Sequence, residues 1–119
     1  MIIKEKFGWI PLLLNNLIFL SIDGPDGSIT FEVTTVTKAY GRENYWQIGM
    51  AAGNCENERN YGNNKEYTQS CKLPAGTHNI KCKDTYGDGW HGGYLRINGA
   101  EYCKTFTNGR EKSDENLTI

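Results

Sequence analysis

Two aspartates, two glycines and two aromatic residues lie among the seven residues from Asp84 to Trp90, Asp-Thr-Tyr-Gly-Asp-Gly-Trp. Carboxylate and carbonyl oxygens are the ligands that calcium prefers, and glycines let the backbone turn such groups toward one point. Calcium is therefore the candidate cofactor. The alternative is a tight turn in which Asp and Gly satisfy only the turn geometry. The candidate metal site combines oxygen ligands with two aromatic side chains that would cover the loop: Asp84, Tyr86, Asp88 and Trp90.

The same stretch also suits a carbohydrate ligand. Trp90 or Tyr94 would stack on a sugar ring, and Tyr86 offers a third aromatic face. His91 and the neighbouring carboxylates would then bind the hydroxyl groups of the sugar. The alternative is that Trp90 packs into the core, so the exposure of its indole distinguishes the two interpretations.

The sequence does not predict an enzyme. Catalysis needs a nucleophile with a base, a carboxylate pair in a cleft, or a metal with an open coordination position. Asp84, Asp88 and Glu101 are the carboxylates from which a glycosidase pair would be drawn, but a domain of 119 residues lacks the depth for a substrate groove.

Composition limits the class of protein. A chain of 119 residues corresponds to one domain with a modest core. Thirteen basic and fourteen acidic residues give a net charge of -1, which provides no basic surface for nucleic acid or an anionic membrane. Fourteen glycines against three prolines are typical of a turn-rich β protein.

Residues 1–21 are signal-like, or a non-native apolar segment, because Lys4 and Lys6 precede two short apolar runs. These runs are too short and broken to span a bilayer, so we expect no membrane span. We expect residues 22–119 to form a single β-sandwich domain in a secreted or extracellular protein. Asn116 begins an Asn-Leu-Thr acceptor sequence for N-glycosylation, which applies if a eukaryote secretes the chain.

Short alternating segments predict an all-β fold. Ile29, Phe31 and Val33 alternate with polar residues and give the clearest strand, at 29–34. About seven strands without an amphipathic helix indicate a small disulfide-bonded antiparallel β-sandwich, jelly-roll-like in architecture. The other predicted segments are a strand at 45–49, a long surface loop at 53–70, a hairpin at 71–83, a hairpin at 94–103 around Asn98-Gly99, an extension at 105–106 and a last strand at 115–119.

The four cysteines are Cys55, Cys71, Cys82 and Cys103, and their wide spacing predicts two disulfides in an oxidising compartment. Three pairings exist. We favour Cys55 with Cys71, which would clamp the long loop. We also favour Cys82 with Cys103, which would join the strands that flank the loop from Asp84 to Trp90. Cys71 with Cys82, across the predicted hairpin, is the main alternative.

From Trp46 to the end, the chain resembles a family of secreted modules marked by a D-x-Y-G-D-G-W sequence. These modules occur in extracellular and cell-surface proteins of protists, algae and marine animals. The resemblance implies a disulfide-bonded β-sandwich used for structure or adhesion, without enzymatic activity. Family members usually have Asn where this chain has His91, and residues 1–28 match nothing in the family. The residues that carry the resemblance are Trp46, Cys55, Cys71, Leu73, Gly76, Cys82, the motif from Asp84 to Trp90, Gly92, Gly93, Ile97, Gly99 and Cys103.

The leading functional hypothesis is a non-catalytic extracellular structural or adhesion module, stabilised by calcium at the loop from Asp84 to Trp90. One alternative is a lectin-like domain whose ligand-binding residues are Trp90, His91 and Tyr94. Another is a self-assembling filament or matrix subunit, in which sheet edges or the N-terminal segment pair between copies. The expected partners are glycans, other extracellular matrix proteins or further copies of the chain.

Overall fold

The computed structural model describes residues 21–23, 27–49, 55–58 and 60–119. The predicted apolar segment lies outside this part of the chain except for Ser21, as does the start of the predicted loop at 53–70. The described elements are β1 (Ser21–Asp23), β2 (Ser28–Val36), the 3-10 helix η1 (Gly41–Glu43), β3 (Asn44–Ile48), β4 (Cys55–Glu56), β5 (Glu66–Pro74), β6 (Thr77–Asp84), β7 (Tyr94–Ile97), β8 (Ala100–Tyr102) and β9 (Glu111–Thr118).

The strands form two antiparallel sheets. Sheet A has the order β9-β6-β3-β4. In sheet B, β5 pairs with the whole of β2, while β1 and β7 pair with opposite ends of β2 on its other edge. Strand β8 then pairs with β7, so sheet B contains five strands but is four strands wide. The predicted all-β sandwich is confirmed.

Side-chain alternation explains the packing of the two sheets. Phe31 and Val33 point inward from β2, as the sequence pattern predicts, and Trp46 and Ile48 point inward from β3. The indole Nε1 of Trp46 donates hydrogen bonds of 3.0 Å to Thr35 Oγ1 and Tyr61 Oη, so its polar atom is satisfied inside the core. Other core residues are Leu73, Ile80, Trp90, Leu95, Ile97, Phe106 and Leu117.

Both favoured disulfides are confirmed. The bond from Cys55 to Cys71 links β4 of sheet A to β5 of sheet B, with the Cα atoms 5.2 Å apart. The bond from Cys82 to Cys103 links β6 of sheet A to the turn after β8 of sheet B, with the Cα atoms 5.9 Å apart. Each disulfide therefore joins the two layers of the sandwich, and the alternative bond between Cys71 and Cys82 is wrong.

The hairpin predicted at 71–83 is also wrong, because β5 and β6 lie in different sheets. The turn between them carries the chain from one layer to the other, and it is fixed by two hydrogen bonds of 2.9 Å between the backbones of Gly76 and Ile119. The loop predicted at 53–70 is wrong in two places, because β4 (Cys55–Glu56) and the start of β5, at Glu66, lie inside it. One face of the first half of β5 is exposed and polar, and such a face gives little sequence signal.

The Asn98-Gly99 hairpin is confirmed between β7 and β8, and both turn residues have the positive φ angles that its turn requires, 51° and 83°. The strand does not extend to residues 105–106 as predicted. Cys103 has a φ of 67° and turns the chain, which places Phe106 in the core. The last strand is longer than predicted and begins at Glu111.

Candidate functional site

The signature loop, residues 84–90, begins at the last residue of β6. Asp84 is 2% exposed, and its Oδ2 accepts three backbone hydrogen bonds. The donors are the N–H groups of Gly87 at 2.7 Å, Asp88 at 2.6 Å and Gly89 at 3.0 Å. One carboxylate oxygen therefore fixes the path of the loop, and hydrogen bonds from backbone N–H groups stabilise its charge.

Gly89 is required by both backbone angle and space. Its φ is +82°, and an added Cβ would lie 2.6 Å from the carbonyl oxygen of Phe106. Trp90 N–H donates to that same oxygen at 2.9 Å. The absence of a side chain at residue 89 thus lets the loop lie directly against the segment after β8.

Trp90 is completely buried. Its indole Nε1 donates to the carbonyl oxygen of Lys83 at 2.7 Å, and its ring packs near that of Phe106 with the centroids 6.3 Å apart. The indole presents no face to solvent, which removes stacking on Trp90 from the lectin hypothesis. Tyr86, by contrast, is 72% exposed.

A second segment, residues 106–110, forms hydrogen bonds with the signature loop. Gly109 N–H donates to the Gly87 carbonyl at 3.0 Å, and Asp84 N–H donates to the Arg110 carbonyl at 2.9 Å. The Arg110 guanidinium in turn donates to the carbonyl oxygen of Thr85 at 2.6 Å. The loop is therefore tied at several points to a segment that directly follows the Cys82–Cys103 disulfide.

Side chains from η1 and β3 meet the loop on its other side. Asn44 is the register partner of Asp84, and the carbonyl oxygen of Glu43 accepts a hydrogen bond of 3.0 Å from Thr85 N–H. Ligand atoms of Glu43, Asp88 and His91 all lie within 4.8 Å of one another. Glu43 and Asn44 therefore lie beside Asp84 and Asp88, the two carboxylates that the sequence predicts as metal ligands.

We call these four residues, Glu43, Asn44, Asp84 and Asp88, the oxygen cluster. Each has a side-chain oxygen that is shielded from solvent and has no hydrogen-bond partner among the described residues: Glu43 Oε1, Asn44 Oδ1, Asp84 Oδ1 and Asp88 Oδ1. His91 Nε2 lies 3.2 Å from Asp88 Oδ1, which is close enough for an ion pair, but the two groups are not aligned as a hydrogen bond. Such oxygens are costly to bury unless something binds them.

The surroundings in the oxygen cluster disfavour the ionised form of the Glu43 carboxyl. Burial raises the pKa of the Glu43 carboxyl, and the negative charges of Asp84 and Asp88 raise it further. The smaller opposing effects come from His91 and Arg42. The carboxylates of Glu43, Asp84 and Asp88 thus repel one another.

The predicted ligand-binding residues Trp90, His91 and Tyr94 do not form one surface. His91 is exposed and contacts the ring of Tyr40, with the centroids 4.9 Å apart. Tyr94 is half-buried on β7, where the ammonium of Lys104 lies 5.0 Å from its ring centroid. With Trp90 in the core, the three side chains face three different environments.

A groove of about 380 Å³ lies on the outer face of sheet A. Tyr45, 39% exposed, projects into it because its neighbour Trp46 points into the core. The Lys83 ammonium lies 5.6 Å from the Tyr45 ring centroid. We call this the Tyr45 groove; its other polar lining residues include Arg42, Glu56, Asn57 and Asn60.

Two further groups have clear surroundings. Glu115 lies near Cys82 and Cys103, but these cysteines are bonded to each other and Glu115 Oε1 accepts the Cys103 N–H at 2.6 Å, so this group is structural. Asn116, the predicted glycosylation site, is exposed on β9. The described ranges contain no helix of the length and apolarity needed to cross a membrane.

Searches against protein-family models, curated proteins and solved structures find no match for this chain. The fold that the D-x-Y-G-D-G-W resemblance implies is nevertheless present, a disulfide-bonded sandwich of two antiparallel sheets. Two disulfides that join the layers indicate an oxidising environment.

The sequence alone does not indicate Glu43 and Asn44 as site residues, because they lie about forty residues before the motif and reach it only through strand pairing. The predicted metal ligands all lie between Asp84 and Trp90. The signal that could have found Glu43 and Asn44 is the register of β3 against β6, which pairs Asn44 with Asp84.

Proposed function

We propose that this protein is a non-catalytic extracellular module with a structural or adhesive role, as in the family that it resembles. The observation that carries the proposal is the use of the signature loop. Asp84 Oδ2 accepts three backbone N–H groups, and Trp90 is fully buried. The chemically richest residues of the chain thus stabilise its own backbone, which supports a structural role for the loop.

The two disulfides further support this proposal. Each joins one sheet to the other, so the layers cannot separate while both bonds are intact. Such cross-links suit a small domain that must keep its shape outside the cell, where its modest core alone gives little stability. The expected partners are glycans, extracellular matrix proteins or further copies of the chain.

An adhesion assay tests this proposal. Beads coated with the oxidised protein should adhere to surfaces that carry glycans or matrix proteins, or to beads coated with the same protein. Beads coated with the reduced and alkylated chain serve as the control and should not adhere. Failure of the oxidised protein to bind any of these surfaces would contradict an adhesive role. Turnover of glycoside, ester or peptide substrates that Asp88→Asn abolishes would contradict the non-catalytic part.

The Tyr45 groove favours a second candidate function, the binding of a carbohydrate. A half-exposed aromatic ring beside amide and charged side chains offers both a stacking face and partners for hydroxyl groups. This site differs from the one predicted around Trp90, His91 and Tyr94. Tyr45→Ala should remove any glycan-array signal, while Tyr86→Ala, which changes an exposed tyrosine outside this groove, should preserve it. Equal signals from both variants would place glycan binding elsewhere.

A further inference from the structure

The oxygen cluster contains more unpaired acceptor atoms than its own donors can satisfy. Asp84 and Asn44 are each 2% exposed, yet Asp84 Oδ1 and both polar atoms of the Asn44 side chain have no hydrogen-bond partner among the described residues. Glu43 Oε1 and Asp88 Oδ1 are shielded and lack a hydrogen bond in the same way. Buried polar atoms in folded proteins are almost always paired, so these four oxygens, carried by two adjoining segments, indicate a missing partner.

A positively charged partner accounts for these atoms best. Glu43, Asp84 and Asp88 each bring a carboxylate, and like charges that share a site repel one another unless a cation lies between them. The nearby His91 lies within ion-pair distance of Asp88 Oδ1 but forms no hydrogen bond to it, and it leaves the oxygens of Glu43, Asn44 and Asp84 unpaired. Arg42, although next in sequence to Glu43, is exposed and lines the Tyr45 groove.

The chemistry of the unpaired atoms identifies the kind of cation. All the unpaired acceptors are oxygens, three from carboxylates and one from an amide, and this set is typical of calcium sites. Zinc would favour nitrogen and sulfur, and here His91 offers one nitrogen while the cysteines nearest the loop are bonded to each other. We propose that the oxygen cluster binds a calcium ion, with the carboxylates of Glu43 and Asp88 as its principal ligands.

The scaffold around these ligands is already fixed. Glu43 ends η1, whose first residue, Gly41, lies so close to the backbone of Gly62 that an added Cβ would overlap the Gly62 carbonyl oxygen. Asp88 is fixed from the other side by the hydrogen bond of 2.6 Å between its N–H and Asp84 Oδ2. Calcium would therefore bridge η1 and the signature loop, two segments that are far apart in the sequence.

This ligand set differs from the one predicted from the sequence. Asp84 and Asp88 remain, but the exposed Tyr86 and the buried Trp90 are replaced by Glu43 and Asn44. The proposed structural role of the loop does not depend on the cation, since Asp84 Oδ2 and Trp90 hold the loop through hydrogen bonds of their own. The absence of calcium binding would thus leave the proposed function intact.

Calorimetric titration of the full, oxidised, EDTA-treated chain with calcium chloride tests the site. We expect a dissociation constant of about 0.1 to 1 mM, as in other extracellular modules. Calcium at roughly tenfold excess should raise Tm by on the order of 5 °C, and EDTA should reverse the rise. A titration without heat together with a Tm indifferent to calcium and EDTA would overturn the proposal.

Isosteric variants locate the ion. Glu43→Gln and Asp88→Asn should each weaken calcium affinity at least about tenfold, because each removes one charged ligand. Asp114→Asn and Glu101→Gln are the matched controls, since both carboxylates are exposed and pair with nearby lysines. Terbium luminescence excited through nearby aromatic rings gives a second measurement that does not depend on stability. Equal calcium affinity in all four variants would overturn the assignment.

His91→Ala distinguishes calcium from a softer metal. Calcium takes oxygen ligands, so its affinity should be retained in this variant. Zinc binding that is tighter than calcium binding and is lost in His91→Ala would overturn the assignment of a hard cation.

Discussion

The indole of Trp90 donates a hydrogen bond of 2.7 Å to the carbonyl oxygen of Lys83, the residue that directly precedes Asp84. This bond joins the end of the signature loop to its start from the core side. Asp84 closes the same loop from within, through the three backbone N–H groups that its Oδ2 accepts. The conformation of the loop therefore depends on one buried indole and one buried carboxylate.

Trp90→Phe should lower the free energy of unfolding by about 2 kcal/mol, because it removes the hydrogen bond to Lys83 and part of a fully buried ring. Urea denaturation followed by far-UV circular dichroism measures the change. Tyr86→Phe is the control, since that side chain is 72% exposed and the loss of its hydroxyl should have little effect. Equal stabilities of the two variants would show that the indole bond does not stabilise the loop.

Asp84→Ala should cost about 3 kcal/mol or more, since it leaves three N–H groups without their charged acceptor. Asp114→Ala changes an exposed aspartate that pairs with Lys112, and it should have little effect on stability. Denaturation curves of both variants, measured under the same conditions, give the comparison. A small effect of Asp84→Ala would mean that the loop keeps its shape without this carboxylate.

Gly89 and Gly99 form a matched pair for separating backbone angle from close packing. Their φ angles are +82° and +83°, but a Cβ at Gly89 would lie 2.6 Å from the Phe106 carbonyl oxygen, whereas a Cβ at Gly99 would have nothing within 4 Å. Gly99→Ala should cost about 1 kcal/mol for the angle alone, and Gly89→Ala should cost about 3 kcal/mol because the neighbouring backbone must also move. Similar losses measured by thermal denaturation would show that packing at residue 89 contributes nothing.

Local patterns predict the parts of this fold that depend on local chemistry. Ile29, Phe31 and Val33 alternate with polar residues and lie in a strand, since one side of that strand faces the core. Asn98 and Gly99 form a hairpin turn because both residues tolerate positive φ angles. The residues of the signature loop likewise indicate, on their own, an ordered loop and not a helix or a plain strand.

Pairings between distant residues could not be predicted in this way. The turn after Pro74 could lead either into a hairpin or into the other sheet. The structure has the second arrangement, with β5 and β6 in different sheets. The approach of Glu43 to Asp88 depends on the register that sets Asn44 opposite Asp84. No local property of the sequence fixes that register, so the candidate cation ligands from η1 and β3 emerge only from the structure.

The two disulfides should stabilise the fold to a similar extent but protect different parts of it. They close chain segments with sequence separations of 16 and 21 residues, so replacing either cysteine pair by alanine should cost about 3 kcal/mol. Cys82 lies two residues before Asp84, whereas Cys55 and Cys71 lie at the edges of the sheets. Loss of the Cys82–Cys103 bond should therefore loosen the signature loop more than loss of the other bond.

Hydrogen exchange measures this difference directly. The amides of Gly87 and Gly89 donate to Asp84 Oδ2, so they should exchange faster in the variant without Cys82 and Cys103 than in the variant without Cys55 and Cys71. Because both variants lose a similar free energy of global unfolding, a difference confined to these amides reports local opening of the loop. Equal exchange rates in the two variants would mean that the Cys82–Cys103 bond acts on the whole fold and not on the loop in particular.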